Sequence, residues 1–388
     1  MERYESREVP LLQVLDTECG LGYRQTNYQG DISPLVDDLI LPDTGAGSTE
    51  LKWNNIQSFL FKKYRQAISG GKYELELTDD DLKPFEPRWD DLPDTFSTMV
   101  QLVRDKGENG QKAKIFMTGF GGSGAGNLLG RFCHADRDTF DYTKEISAKE
   151  AELNPDVIFA EIIHLPEARI GNILLRPVLR DYEIPYLGKP AVGPEFQVKL
   201  SDLSVSLQRN RVVLRSRRFN KEIIPRLTSA HNYSLRALPI YHFLCDLQTQ
   251  NIRGGAGFSW GVLANEYDFL PRVIYKHLVL SPATWNVKKD DVKHLFKIKD
   301  DDELSRAVGE WRDADNIPAY VDLADGDNKL LINLENLLCV RTLFSVVKNR
   351  PGFQLTEFLY DSGSSPVSSE EGVFTNEFIL SFHRTKKK

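Results

Sequence analysis

Residues 51–68 (LKWNNIQSFLFKKYRQAI) place Trp53, Ile56, Phe59, Leu60, Tyr64 and Ala67 on one stripe, the period of an amphipathic helix, and Gly70-Gly71 supplies its stop. The region 78–94 mixes acids with Pro84 and Pro87 and reads as an irregular connection. Residues 103–111 (VRDKGENGQ) read as an exposed loop. Beyond it the pattern changes. KIFMT (114–118), DVIFAEII (156–163) and FQVKL (196–200) are strand-like in their β-branched and aromatic content. Ser204–Leu207 and Val212–Arg215 flank Gln208-Arg209-Asn210-Arg211 as a hairpin. A helix is predicted around 235–250, with Leu238, Tyr241, Leu244, Cys245 and Gln248 at helical spacing, and RVIYKHLVL (272–280) returns to strand. Asp301, Asp302 and Glu303 crowd the start of a helix that runs to about Trp311, the sign favoured at a positive helix N-terminus. A hairpin around Asp325-Gly326-Asp327-Asn328, a helix at 334–348 and strands in FQLTEFLY and VFTNEFILSF complete the chain.

No steady βαβ rhythm and no internal repeat emerge, so the expected class is α+β, with mixed, largely antiparallel sheets and interspersed helices. The boundary drawn at the exposed loop gives a more helical segment, 1–110, and a strand-rich core, 111–388.

Composition narrows the class. Apolar residues make up 41% and charged residues 27% of the 388, enough to bury a sizeable core. No apolar run approaches the roughly 20 residues needed to span a bilayer. Cys19, Cys133, Cys245 and Cys339 show no paired spacing, so neither a disulfide framework nor a zinc site is suggested, and reduced thiols in a cytoplasmic protein are expected. The net charge of −7 argues against a general nucleic-acid binder. It is unevenly spread. Between Arg209 and Arg226 seven basic residues face one acid, Glu222, which is either a polyanion-docking patch or a solvated strand face.

Residues 113–130 (AKIFMTGFGGSGAGNLLG) satisfy G-x-G-x-x-G after a strand, at Gly119, Gly121 and Gly124. The acidic residue that should close a second strand some 20 positions on falls in ADRDTFDYTKE, which is polar throughout. A nucleotide-dependent oxidoreductase is therefore disfavoured. Six glycines in twelve residues still permit a close backbone approach, and Asn127 and Arg131 follow one helical turn apart.

Three further segments concentrate polar residues in apolar surroundings. The first, 160–188, holds His164, Arg169, Asn172 and Arg176. The second, 214–234, holds Arg217, Arg218, Lys221, Arg226 and His231. The third is GFSWGVL followed by LPRVIYKHLVLSPATW. Desolvated without partners, such groups would be costly.

In their order, GNLLGRFCH, HLPEARIGNILLRPVLRDYEIPYLG, LRSRRFNKEIIPRLTSAHNY, LPIYHFLCDLQ, FSWG and the closing I-P-x-Y-V-x-L-x-x-G-D-N-x-L-L-I-N-L resemble class I lanthipeptide (lantibiotic) dehydratases. EVPLLQVLD near the start and NEFILSFHR near the end look like the same family, so the resemblance runs over nearly the whole chain. It implies a part in transferring glutamate from glutamyl-tRNA, the co-substrate, to Ser or Thr of a precursor peptide, ahead of glutamate elimination to dehydroamino acids. No further cofactor and no metal is expected. By the same resemblance, Arg131 in the G-R-F motif matches an arginine of the glutamylation site. Arg169 and Arg176 come next, with His134 a candidate base. Asn127, Asn172, Arg217, Arg218, Lys221, Arg226 and His231 are candidates for substrate or tRNA contact. Each arginine has a plainer alternative, a structural pair with a carboxylate.

The chain opens on residues resembling the interior of the family's first domain and closes near where the elimination domain would begin. The leader-binding module and the elimination domain are accordingly expected outside it, in the rest of the enzyme or in a companion subunit. A cyclase partner, a homo-oligomer and a cytoplasmic or membrane-peripheral complex are compatible expectations. The competing class is a non-catalytic component that presents tRNA or peptide within a larger complex.

Overall fold

The structure, a computed structural model, describes residues 3–23, 53–104, 113–164, 171–233, 238–325, 328–360 and 365–385. It is α+β, with three principal sheets.

The first sheet runs Val9–Pro10, Leu203–Gln208, Arg211–Ser216, Lys221–Arg226, Val157–Ile163, Tyr182–Pro185 in spatial order. Its first four strands pair antiparallel, whereas Val157–Ile163 is parallel to both of its neighbours. Three strands therefore end at one edge of the sheet. The predicted hairpin is present, with Gln208 opposite Arg211, and Arg209 and Asn210 both adopt positive φ. Two such residues give the turn that matches strand twist. Helix Pro239–Leu247 covers this sheet, burying Tyr241 and Leu244 against Ile162, Ile184 and Ile223.

The second sheet runs Glu74–Leu77, Arg272–Tyr275, Leu278–Ser281, Ala113–Gly121, Thr95–Arg104, Phe378–His383, with Gly255–Ala256 added beside Ala113–Gly121. The expected boundary at 110 falls in 105–112, outside the described residues. The strands on either side of it, Thr95–Arg104 and Ala113–Gly121, are antiparallel neighbours in this sheet. The third sheet is antiparallel throughout: Phe269–Leu270, Thr284–Lys288, Gly352–Glu357, Tyr320–Asp325, Asn328–Asn333. Helices Asp301–Asp315 and Leu337–Val347 enclose with it a core that includes Trp285, Val321, Leu343 and Leu355.

Three local expectations are corrected. FQVKL is no sheet strand: short 3-10 turns, Pro194–Phe196 and Leu200–Asp202, bracket it, and Gln197 makes only an isolated bridge to Glu183. RVIYKHLVL is two strands, because Lys276 at φ 54° and His277 turn the chain back on itself. In the first long helix, Asn55–Ser69, the buried positions are Gln57, Leu60, Tyr64 and Ala67, leaving Trp53 and Ile56 about half exposed. Gln57 takes the inner place because its amide oxygen accepts from Val262 N at 3.2 Å, and Gly261 leaves room beside it. A polar residue with a buried partner has displaced an apolar one.

Candidate functional site

The glycine-rich segment explains itself by contact. A Cβ built at Gly124 would lie 2.5 Å from Glu150 Oε1, one at Gly126 2.9 Å from Thr228 Cγ2, and one at Gly130 2.1 Å from the Thr228 carbonyl oxygen. The loop lies flat on Glu150 and Thr228 because it has no side chains to hold it off. It then closes in a single 3-10 turn, Gly130–Phe132, and the next α-helix begins only at Arg137. A pyrophosphate cradle needs a helix N-terminus directly after the loop, so the dinucleotide geometry is not formed here. Asn127 is half-buried, its amide tucked beneath Gly122.

Beneath the loop lies an ionic cluster drawn from five parts of the chain. Helix Arg137–Leu153 contributes Glu150, and strand Val157–Ile163 contributes Glu161 from within an otherwise apolar run. Arg180 reaches both, at 2.7 Å to Glu150 and 3.2 Å to Glu161. Arg176 pairs with Glu161 at 2.7 Å and also donates to the Leu174 and Ile162 carbonyls. Arg226 lies 3.5 Å from Glu150 and stacks its guanidinium 4.8 Å over the Phe159 ring. Thr228 donates twice to Glu161, through N and Oγ1, at 2.7 Å each, and Thr95 Oγ1 donates to Glu150 at 2.5 Å. All five charged side chains are buried. Burial works to raise the Glu150 carboxyl, but the Arg180 and Arg226 guanidinium groups and the Thr95 hydroxyl outweigh it and hold it below the usual carboxylate range. Two carboxylates against three guanidinium groups leave a local excess of one positive charge under the loop.

The rim above this cluster is the edge where the three parallel strands end. Arg131 is exposed there, its guanidinium 4.5 Å over the Phe132 ring, with His134 exposed after it. The turn Gly171–Leu174 packs against Gly130–Phe132. His164, immediately after strand Val157–Ile163, stacks 4.3 Å from Tyr241 and 5.5 Å from Tyr186. His231 Nδ1 lies 2.9 Å from the Tyr241 hydroxyl. Two half-buried imidazoles thus share one buried tyrosine.

The structure therefore sorts the candidates. Arg131 and His134 are exposed on and just after the turn Gly130–Phe132, against which the backbone of Gly171–Leu174 packs, whereas His231 stands beside Tyr241 and the Asn127 amide beneath Gly122. The Asn172 side chain and Arg169 lie outside what the structure describes. Arg176 and Arg226 are buried in the ionic cluster, which removes both from any surface an RNA could touch. Arg217, Arg218 and Lys221 are exposed at the other end of strand Lys221–Arg226, donating to the carbonyls of Ser201, of Pro194 and Glu195, and of Pro155 respectively. At about 3.3 Å per strand residue that end is roughly 20 Å from the Arg131 turn. Residues that sequence reasoning missed are Glu150, Glu161, Arg180, Thr95, Thr228 and Tyr241. Glu161 alone left a signal, a carboxylate inside VIFAEII.

Residues 1–343 match the family model described as "Lantibiotic dehydratase, N terminus". The chain belongs to the lantibiotic dehydratase family. It is 23% identical over 391 residues to the subtilin biosynthesis protein SpaB of Bacillus subtilis, covering 98% of this chain and 36% of SpaB. It is 23% identical over 282 residues to the nisin biosynthesis protein NisB of Lactococcus lactis subsp. lactis, covering 70% of this chain and 27% of NisB. The chain thus spans about a third of the length of these curated relatives. Among solved structures, the tRNA-dependent lantibiotic dehydratase MibB of Microbispora sp. 107891 superposes with a TM-score of 0.73 at 22% identity, over 92% of this chain and 34% of MibB. The glutamylation domain TbtB from thiomuracin biosynthesis, bound to 5'-phosphodesmethylglutamycin, gives 0.60 at 17% identity over 98% of this chain and 46% of TbtB. The fold is the one found in MibB and in the TbtB glutamylation domain.

The two histidines that share Tyr241 give this chain a predictable acid response. Burial pushes His164 below the ordinary histidine value of about 6.5, against the opposing contact with the Tyr186 carbonyl. Burial, and then the nearby His164, push His231 down as well. The unfolded chain then takes up protons that the folded one refuses, so both contributions to stability are present above about pH 6.5 and are lost as the pH falls through the lower native values. Thermal melts at falling pH should show the midpoint dropping through this window, and His164→Gln and His231→Gln should each flatten the drop. A midpoint independent of pH between about 7 and 5 would contradict the assignment.

No helix among the described residues is long and apolar enough to cross a membrane.

Proposed function

We propose that this chain supplies part of a glutamyl-transfer site, moving glutamate from glutamyl-tRNA to Ser and Thr hydroxyls of a precursor peptide. The observation that carries this is Arg131. It is an exposed cation on a turn that three glycines fix against Glu150 and Thr228, at the edge where three parallel strands end. In open α/β sheets ligands are received outside the carboxyl ends of parallel strands, and we take the parallel edge of this mixed sheet to act in the same way.

The reaction asks for what this rim offers. The peptide hydroxyl oxygen attacks the ester carbonyl carbon of glutamyl-tRNA, the bond to the ribose oxygen breaks, and the hydroxyl proton ends on that ribose oxygen. Charge builds on the carbonyl oxygen in between, so a fixed cation nearby lowers the barrier. Arg131 fills that role or seats a substrate carboxylate or phosphate with its planar fork. Arg169, in the same segment as Gly171–Leu174, is proposed to join it. His134 or His231 accepts the hydroxyl proton. For His231 the lowered value keeps the imidazole neutral and receptive near pH 7. Arg176 acts as a positioning residue, tying Leu174 to Glu161. Glutamyl-tRNA is the co-substrate and no resident cofactor is invoked. Dependence on the cell's tRNA places the chain in the cytoplasm.

Arg217, Arg218 and Lys221 are proposed to meet the tRNA backbone. Replacing Arg217 and Arg218 by alanine should weaken tRNA binding and lower the slope of log K against log salt by roughly 0.7–0.9 for each phosphate no longer neutralised. A slope unchanged in the double variant would remove them from the interface. The reading as a whole is tested by incubating the chain with glutamyl-tRNA, precursor peptide and the remaining dehydratase portions, and weighing the peptide. Mass increments of one glutamyl unit are expected. tRNA binding with no increment in any combination would instead make the chain a binding component.

A further inference from the structure

A cleft of about 350 Å³ opens at the amino ends of the same three parallel strands, between them and helix Arg137–Leu153. It is remote from Arg131, and nothing in the transfer chemistry uses it. Lys144 reaches it from the helix and Lys221 from the strand. Tyr182 and Phe219 form an aromatic wall, their rings meeting edge to face at 5.3 Å. Arg180 lies in the floor with its guanidinium committed to Glu150 and Glu161. Asp181 is the one carboxylate-bearing side chain among the lining residues.

An apolar aromatic wall flanked by two lysines suits a ligand that is flat and apolar at one end and anionic at the other. The positive surface also continues past the cleft, because Arg217 and Arg218 precede Phe219 in the same exposed turn. A free mononucleotide would leave those arginines unused, and an acidic peptide would leave the aromatic wall unused. We propose that the cleft takes an unpaired nucleotide of the RNA partner, its base against Tyr182 and Phe219 and its phosphate between Lys144 and Lys221. This rests on the tRNA-dependent reading above and adds a second point of contact, about one strand length from the transfer site. Stacking of an unpaired base on aromatic side chains, with cations tracking the backbone, is how single-stranded RNA is generally held.

The test measures binding of a tRNA-Glu transcript and of a blunt RNA duplex with the same number of phosphates. Phe219→Leu should weaken tRNA binding roughly ten-fold and leave duplex binding unchanged. Lys144→Ala with Lys221→Ala should lower the tRNA salt slope by about 0.7, the single-strand value for the one phosphate they hold. Lys144 and Lys221 are exposed, so their variants remain decisive if Phe219→Leu loses thermal stability. Wild-type tRNA affinity and salt slope in these variants would overturn the proposal, as would a duplex that binds as tightly as tRNA. Its failure is distinguishable from failure of the transfer reading. Glutamyl adducts formed by wild-type chain, with tRNA binding unmoved in the variants, would remove the cleft alone. Absence of adducts in every combination would remove the transfer reading.

Discussion

Glu161→Ala is expected to destabilise the fold by about 3–5 kcal/mol, the range for breaking a buried ion pair by removing one partner. The carboxylate accepts from Thr228 N and Oγ1 and pairs with Arg176 and Arg180. Its removal leaves two guanidinium groups in the interior with less than their charge balanced, and two Thr228 donors without an acceptor. Each unsatisfied donor adds about 1–3 kcal/mol. Glu161→Gln keeps the volume and one acceptor, and should lose less. Urea denaturation of the three proteins measures the differences directly. A loss below about 1 kcal/mol for Glu161→Ala would mean that water replaces the carboxylate without cost, and that the cluster is not a closed structural unit.

Gly130→Ala should damage both stability and site. The added methyl would sit 2.1 Å from the Thr228 carbonyl oxygen, a backbone atom flanked by the ionic cluster. A flexible side-chain tip could give way, but this backbone atom belongs to a residue held by its N and Oγ1 bonds to Glu161. The turn bearing Arg131 must therefore lift. Overpacking of this kind costs roughly 1–3 kcal/mol, and the displaced arginine no longer meets the substrate. Gly309→Ala is the matched control. It lies inside helix Asp301–Asp315 with nothing within 4 Å of the added methyl, and should gain roughly 0.5–1 kcal/mol. Thermal melts and glutamyl-adduct yield read the two effects separately. A Gly130→Ala chain with wild-type stability and yield would show that the turn does not depend on the close approach.

Local structure was legible wherever its cause was local. Asn54 caps the first long helix and Gly70 ends it, and the acids at 301–303 open the helix Asp301–Asp315 capped by Asp300. The hairpin at Arg209-Asn210 followed from its flanking strands. Errors arose where tertiary partners decide: Gln57 turned inward for Val262, and Lys276-His277 folded back a run that alternates like one strand. The site was half legible. The G-R-F and R-I-G-N segments stand out in sequence, and the structure packs Gly171–Leu174 against Gly130–Phe132. The ionic cluster was hidden because its members stand at 95, 150, 161, 176, 180, 226 and 228. A sequence shows an arginine's charge but not the carboxylate it will meet. Arg176 and Arg226 therefore read as ligand-facing groups and proved to be interior ones.

The same separation of interior from rim identifies the most direct test. Wild-type chain, Arg131→Ala and Arg131→Lys are assayed for glutamyl transfer with glutamyl-tRNA, precursor peptide and the remaining dehydratase portions, alongside melting temperature and tRNA affinity. Arg131 is exposed, with its guanidinium lying over Phe132, so both variants should fold as wild type does. Arg131→Ala should lower transfer by about 100-fold or more, the effect of removing one fixed donor from a developing oxyanion, with only partial recovery in Arg131→Lys. Undiminished glutamyl transfer by a folded Arg131→Ala chain would contradict the role assigned to this arginine.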